Sequence, residues 1–383
     1  MRATGAPGAP GATHRPDPVT VAYEKLSPAD KAKYDEVLRA LKRNSHRDYD
    51  ARGEIEALQK LLVEGKLTQP SSLPSGTTAL DQMARLSREG AKILHPGNFP
   101  LGSTIFKAEG LNPTQLALAT LVNQLANPGL IDQGQGTVTC GATSVQRMLA
   151  ESNPGEYARL AVGLLVDGEV RTKDGHSMKA DPSGLKETSD LRSAVSELMQ
   201  DSFMSLARSL APDGSVGALS PDQMGAGTYP PRTGGKFGSG EGKNGGLTAN
   251  QVVGLYDAVF RQSSVPVGVS GMSDMQRISA LQDATRNGPV MVGVDVVRPD
   301  TGQHGGHVIV VQNVDLKKGV ATIYDPGSGE TSEVSLRQLV GDLRFVMGAE
   351  SSAGKTKQAP ATVDGLNSGG IYTKGKNKAG GGG

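Results

Sequence analysis

The last third of the chain sets the tightest limit on the fold. Val290 to Val297, His307 to Val314, Val320 to Tyr324, Glu333-Val334 and Arg344 to Met347 read as strands, rich in β-branched residues and bounded by Gly, Asp and Pro. The connections between them are short, whereas parallel pairing needs a crossover of about a dozen residues or more. These segments therefore predict an antiparallel sheet. Upstream, apolar residues recur at helical spacing instead. After the start signal Ser27-Pro28-Ala29-Asp30 come Tyr34, Val37, Leu38 and Leu41, then Ile55, Leu58, Leu61 and Leu62. Further helices are expected near Thr78 to Arg88, Pro113 to Asn127, Ala142 to Ala150, Leu191 to Leu210, Thr248 to Gln262 and Ser273 to Asn287. A hairpin is expected from Val166 to Met178, turning at Asp174-Gly175. A helical first half followed by a strand-rich second half is the pattern of an α+β protein whose sheet is segregated from its helices.

Composition divides the chain further. Residues 1–20 are Ala, Gly, Pro, Thr and Arg without periodicity and read as a disordered arm. Residues 21–95 form a helical N-terminal region, 96–350 the main α+β domain, and 351–383 a Gly/Lys-rich tail. Between Asp213 and Gly246 lie eleven of the 52 glycines, so this stretch reads as a long mobile loop, either disordered or a substrate lid with Tyr229 and Phe237 as its anchors. Lys plus Arg number 40 against 39 Asp plus Glu, a net charge of +1, which argues against nucleic acid as a partner. Aromatics are 4% of the chain, too few for base-stacking platforms. No stretch approaches the roughly 20 apolar residues of a membrane span, and the N-terminus carries no apolar signal core. The reading is a soluble protein that, if exported, uses no standard cleavable signal. No Gly-rich phosphate loop joins a strand to a helix, so no cofactor is implied.

The chemistry centres on one residue. Cys140 is the only cysteine, which excludes an internal disulfide framework and a Cys-based zinc ribbon. It ends the polar, glycine-punctuated run Ile131 to Thr139 and stands at the start of a helix. A thiol attacks as the thiolate, which the partial positive charge of a helix N-terminus and a neighbouring imidazole both favour. Of the six histidines, His307 stands out because it opens the apolar strand Val308-Ile309-Val310-Val311 behind two glycines. His304, three residues earlier, is the second candidate base, and a His304/His307 metal site has no carboxylate ligand nearby to support it. A turn centred near Lys317 places His307 opposite Gly327 and Asp325 on the same face, one diagonal step away. Diagonal neighbours lie roughly 7–8 Å apart at Cα, within reach of a carboxylate–imidazole hydrogen bond. Asn313, six residues along the strand and about 20 Å away, cannot orient that ring. The backbone N–H of Cys140 and the side-chain amide of Gln133 or Gln135 are candidate donors to an oxyanion.

These residues carry a resemblance. Gln133-Gly134 leading to Cys140-Gly141 and a helix, then Gly306-His307-Val308-Ile309-Val310-Val311, then Tyr324-Asp325-Pro326, resemble the papain-like cysteine peptidases. The likeness is closest to the bacteriocin-leader-processing peptidases and the papain-like domains of bacterial toxins and effectors, and it spans roughly residues 130–348. It implies a papain-like fold over 96–350, with Cys140 as nucleophile, His307 as base, Asp325 as orienting residue and a Gln as oxyanion donor. That family's Gln stands six residues before its Cys; here Gln133 is seven before and Gln135 five before Cys140, with Gln133 the first choice. The resemblance further implies a protein or peptide substrate, and a toxin or effector that reaches another cell by a signal-independent route. The same trio would serve a transglutaminase or deamidase, a peptidoglycan amidase or an acyltransferase, all through a thioester. An inactive papain-like binding module, using the Gly-rich loop and helical arm as its surface, is the alternative of a different class.

Overall fold

A computed structural model describes residues 16–43, 50–71, 76–93, 113–134, 139–180, 193–210, 247–261, 264–269, 271–297 and 304–349. Gln135, the glycine-rich stretch from Asp213 to Gly246 and the tail from 351 lie outside these residues. The chain begins with helices α1 (Pro18–Glu24), α2 (Pro28–Lys42), α3 (Arg52–Val63) and α4 (Ala79–Glu89). Helix α1 starts inside the stretch 1–20 expected to be a disordered arm. Asp17 accepts hydrogen bonds from the N–H groups of Val19 and Thr20, and Pro18 suits the first helical position, which has no intrahelical acceptor to lose. Thr78 and Asp81 form a reciprocal capping box that starts α4.

Helices α5 (Pro113–Ala126), α6 (Cys140–Ser152), α7 (Pro154–Val166) and α8 (Ala194–Ser209) follow, the last two separated by the hairpin β1 (Glu169–Arg171) and β2 (Ser177–Lys179). The N-terminal helices share one core with these: α3 packs on α5, α4 packs on α7, and Val37, Leu58, Leu80 and Leu86 are fully buried together with Leu118, Leu121 and Leu160. Each such side chain contributes on the order of 1.5–3 kcal/mol by leaving water.

After α9 (Ala249–Phe260) come β3 (Ser264–Gly268), α10 (Asp274–Thr285), β4 (Val290–Val297), β5 (His304–Asp315), β6 (Val320–Asp325), β7 (Glu330–Ser335), α11 (Leu336–Asp342) and β8 (Leu343–Ala349). Six of the strands form one antiparallel sheet in the order β3-β8-β4-β5-β6-β7, so the protein is α+β as its pattern predicts. At its centre, Val290 to Val294 and His307 to Val311 are buried at every position rather than at alternate ones. Both faces of the sheet are therefore covered.

The β5–β6 hairpin carries one irregularity that matters for the site. Near its turn Asp315 pairs with Val320 and Val314 with Ala321, one residue out of the register expected from a turn at Lys317. A bulge at Gln312 absorbs the offset, so that Val311 pairs with Ile323 and Val310 with Tyr324, the expected partners. The register that places Asp325 on the His307 face therefore holds where it is needed.

Candidate active site

Strand β5 outlasts its neighbour. Its pairing with β6 reaches Val310, while its pairing with β4 runs on to His304. In an antiparallel strand the N–H and C=O of one residue point to the same edge. At Val308 that edge is the one β6 has left, and the N-terminus of α6 occupies it. The N–H of Val308 donates to the sulfur of Cys140, and its carbonyl accepts from the hydroxyl of Ser144 at 3.5 Å. Gly141 lets α6 lie close to α9 at the same point, where a Cβ would come 2.7 Å from Cγ2 of Val252.

The sheet brings the other expected residues to this point. His307 Nε2 lies 2.7 Å from Oδ1 of Asp325, and the same oxygen accepts from the N–H of Gly327 at 2.8 Å. The second ring nitrogen, Nδ1, is left for the hydrogen bond between the imidazole and the Cys140 thiol. Cys140, His307 and Asp325 are 8%, 0% and 1% exposed, so water screens their interactions little. Gln133 is fully buried beside them: its N–H donates to the carbonyl of Pro326 at 2.9 Å, and its carbonyl accepts weakly from the Thr139 hydroxyl at 3.5 Å. It thus sits between the turn after Asp325 and the residue before Cys140. His304 is the first residue of β5, paired with Val297. Among the described residues no group of three or more His, Cys, Asp and Glu side chains could hold a metal ion.

The electrostatics favour an ion pair. Burial alone would raise the thiol, but the hydrogen bond and positive charge of His307, with the N–H groups of Val308 and Gly141, hold Cys140 below its ordinary value of 9.0. Burial would likewise lower the imidazole, yet the hydrogen bonds and charges of Asp325 and Cys140 push it from 6.5 up to about 10.

The two shifts act oppositely on stability. Raised to about 10, His307 contributes stability that is complete below 6.5 and is lost as pH rises through about 10. Held below 9.0, Cys140 contributes stability that is complete above 9.0 and is lost as pH falls through its folded value. Where the two windows overlap, between the folded value of Cys140 and 9.0, the slopes cancel, because folding there only transfers a proton from sulfur to ring. In Cys140→Ala the thiol slope is gone. The stability of the wild type relative to this variant is therefore expected to rise by up to about 1.4 kcal/mol per pH unit across that interval. Urea midpoints of both proteins between about pH 5 and 10 check this; a flat difference refutes the pair.

Two further contributors do not follow from the sequence pattern. Arg147, about two turns along α6, is 6% exposed and stacks on the Tyr324 ring at 3.7 Å, while its guanidinium donates to Thr331 Oγ1 at 3.2 Å and pairs with Glu151 at 2.9 Å. The Tyr324 hydroxyl donates to the carbonyl of Ile131. Helix α6, the strand ending in Asp325 and the loop of Gln133 are thereby tied at one place. The second contributor is a chain of buried amides behind α6, formed by Gln124, Gln146 and Gln200. Their one legible signal is an uncharged polar residue within an apolar helical stretch, as with Gln124 beside Leu121, Val122 and Leu125. Comparison of the chain with protein-family models, with curated proteins and with solved structures returns no match.

Proposed function

We propose that this protein is a papain-like cysteine hydrolase that cleaves a peptide or amide bond through a thioester. The observation that carries the proposal is the buried line Cys140–His307–Asp325, with the sulfur at a helix N-terminus. The thiolate of Cys140 attacks the carbonyl carbon, and the oxygen takes up the negative charge. The N–H of Cys140 and the amide of Gln133 stand as donors to that oxyanion. As the C–N bond breaks, His307 Nδ1–H gives its proton to the leaving amine, and Cys140 is left acylated. Water then attacks the thioester, losing a proton to the now neutral His307, and departure of the thiolate restores the ion pair. Asp325 keeps the Nε2–H tautomer and stabilises the imidazolium. On this reading the substrate is a protein or peptide of a target cell.

The test is the rate of Cys140 alkylation by chloroacetamide from about pH 4 to 9, in the wild type and in His307→Ala. With a single cysteine the signal comes from one site. The wild type is expected to react well below pH 7, and the variant to lose that low-pH limb. A thiol that reacts only near its free pKa in the wild type overturns the proposal and leaves the inactive binding module.

A further inference from the structure

Thr139, the residue before α6, does not cap the helix with its side chain. Its hydroxyl donates instead to Gln200 Oε1 at 2.9 Å. Gln200 is fully buried on α8, and its Nε2 donates to the carbonyl of Asp132 at 2.7 Å and to Gln146 Oε1 at 3.1 Å. A carbonyl can only accept, so Asp132 fixes which end of the Gln200 amide faces it. The rest of the chain then has one direction. Gln146 Nε2 donates to the Tyr157 hydroxyl at 3.1 Å, Tyr157 donates to Gln124 Oε1 at 2.5 Å, and Gln124 Nε2 donates to Ser196 Oγ at 2.6 Å and Ser193 Oγ at 3.0 Å. Ser193 in turn caps α8, accepting from the N–H of Ser196 at 3.1 Å. Every amide in the series is thus locked against rotation by its neighbours, and a satisfied buried network of this kind is stiff.

What this stiffness serves is shown by the two ends that Gln200 holds. One is the carbonyl immediately before Gln133; the other is the hydroxyl of the residue immediately before Cys140. We infer that Gln200 is a positioning residue for thioester formation, clamping the oxyanion donor and the nucleophile at a fixed separation through their neighbours Asp132 and Thr139. The inference rests on the papain-like reading given above. It also accounts for the unused cap: a Thr139 hydroxyl engaged with Gln200 leaves the first-turn N–H groups to the sulfur, which Gly141 contacts, and to a developing oxyanion.

Two reactions of the same thiol separate positioning from folding. Chloroacetamide alkylation displaces chloride at a saturated carbon and forms no oxyanion. Acylation by p-nitrophenyl acetate passes through a tetrahedral oxyanion before nitrophenolate leaves. In the full chain, Gln200→Met, which fills the space without donor or acceptor, is expected to slow acylation by about 30-fold, below the roughly 100-fold or more that follows outright loss of an oxyanion donor. Alkylation and its low-pH limb are expected to stay within about 2-fold. Thr139→Val removes one end of the clamp and is expected to slow acylation about 5-fold, which keeps the test open should Gln200→Met fail to fold. Acylation unchanged in the folded variants, or both reactions falling together, overturns the positioning role. If the wild type itself lacks the low-pH limb, the papain-like reading fails first and this inference with it; if the limb is present, only the clamp is in question.

Discussion

Asp325→Ala is expected to slow acylation of Cys140 by p-nitrophenyl acetate on the order of 10³- to 10⁴-fold, the range associated with loss of the orienting carboxylate in a triad. Three losses combine. The Nε2–H of His307 is left in a fully buried position without its acceptor, the N–H of Gly327 loses the same oxygen, and the charge that helps raise the imidazole disappears. With burial then dominant, the ring prefers to be neutral and the thiol keeps its proton, so the low-pH limb of alkylation is expected to vanish as well. Breaking a buried pair by removing one partner also costs about 3–5 kcal/mol of stability. Asp325→Asn separates these effects, because its carbonyl can still accept from both His307 and Gly327. It is expected to fold with a loss of about 1–2 kcal/mol and to retain more acylation than the alanine variant by at least about 10-fold. If Asp325→Ala folds and keeps its low-pH limb, the carboxylate is only a turn residue of the Asp-Pro-Gly corner and the triad loses its third member.

How much of this was legible beforehand depends on whether a residue's role is periodic. Strands β4, β5 and β6 stand out as β-branched runs, and the parity argument that joins His307 to Asp325 needs only that the alternation of faces survive to the site. The bulge at Gln312 preserves it. Strand β3 is illegible because Pro266 lies at its middle, which argues against a strand; the residue is tolerated because β3 is an edge of the sheet, where a missing N–H need cost no ladder bond. Helix α7 hides for a different reason. It is buried at every position but Arg159, so it has no polar stripe to set a helical period, although Asn153 and Pro154 form a recognisable start. The amides of Gln146 and Gln200 are least legible of all. Polar helical positions ordinarily face water, and only the tertiary packing of α5, α6, α7 and α8 turns these inward. The residues gathered at the candidate site could thus be read from residue types at strand and helix ends, whereas the scaffold around them could not.

The last residue with a large expected effect lies on the far side of β5 from Asp325. Gly293 on β4 pairs with Val308 on one side and Phe345 on the other. A Cβ there would lie 2.1 Å from Cε1 and 2.3 Å from Cδ1 of Phe345, whose ring is fully buried. The glycine therefore answers a demand for space, since an aromatic ring lies across it in mid-sheet. Gly293→Ala is expected to cost about 2 kcal/mol and Gly293→Val about 3 kcal/mol, because a packed ring cannot retreat without moving its own neighbours. Phe345→Leu removes the offending ring edge, so the alanine substitution made in that background is expected to cost less than half as much, a coupling of about 1 kcal/mol in a double-mutant cycle of urea midpoints. Additive costs would mean that Phe345 is not what excludes a side chain. Strain at Gly293 also has a route to the chemistry: Val308, directly opposite, gives its N–H to the Cys140 sulfur. If the sheet yields by shifting β5 rather than Phe345, alkylation at neutral pH falls along with stability, and restoring the space at residue 345 restores both.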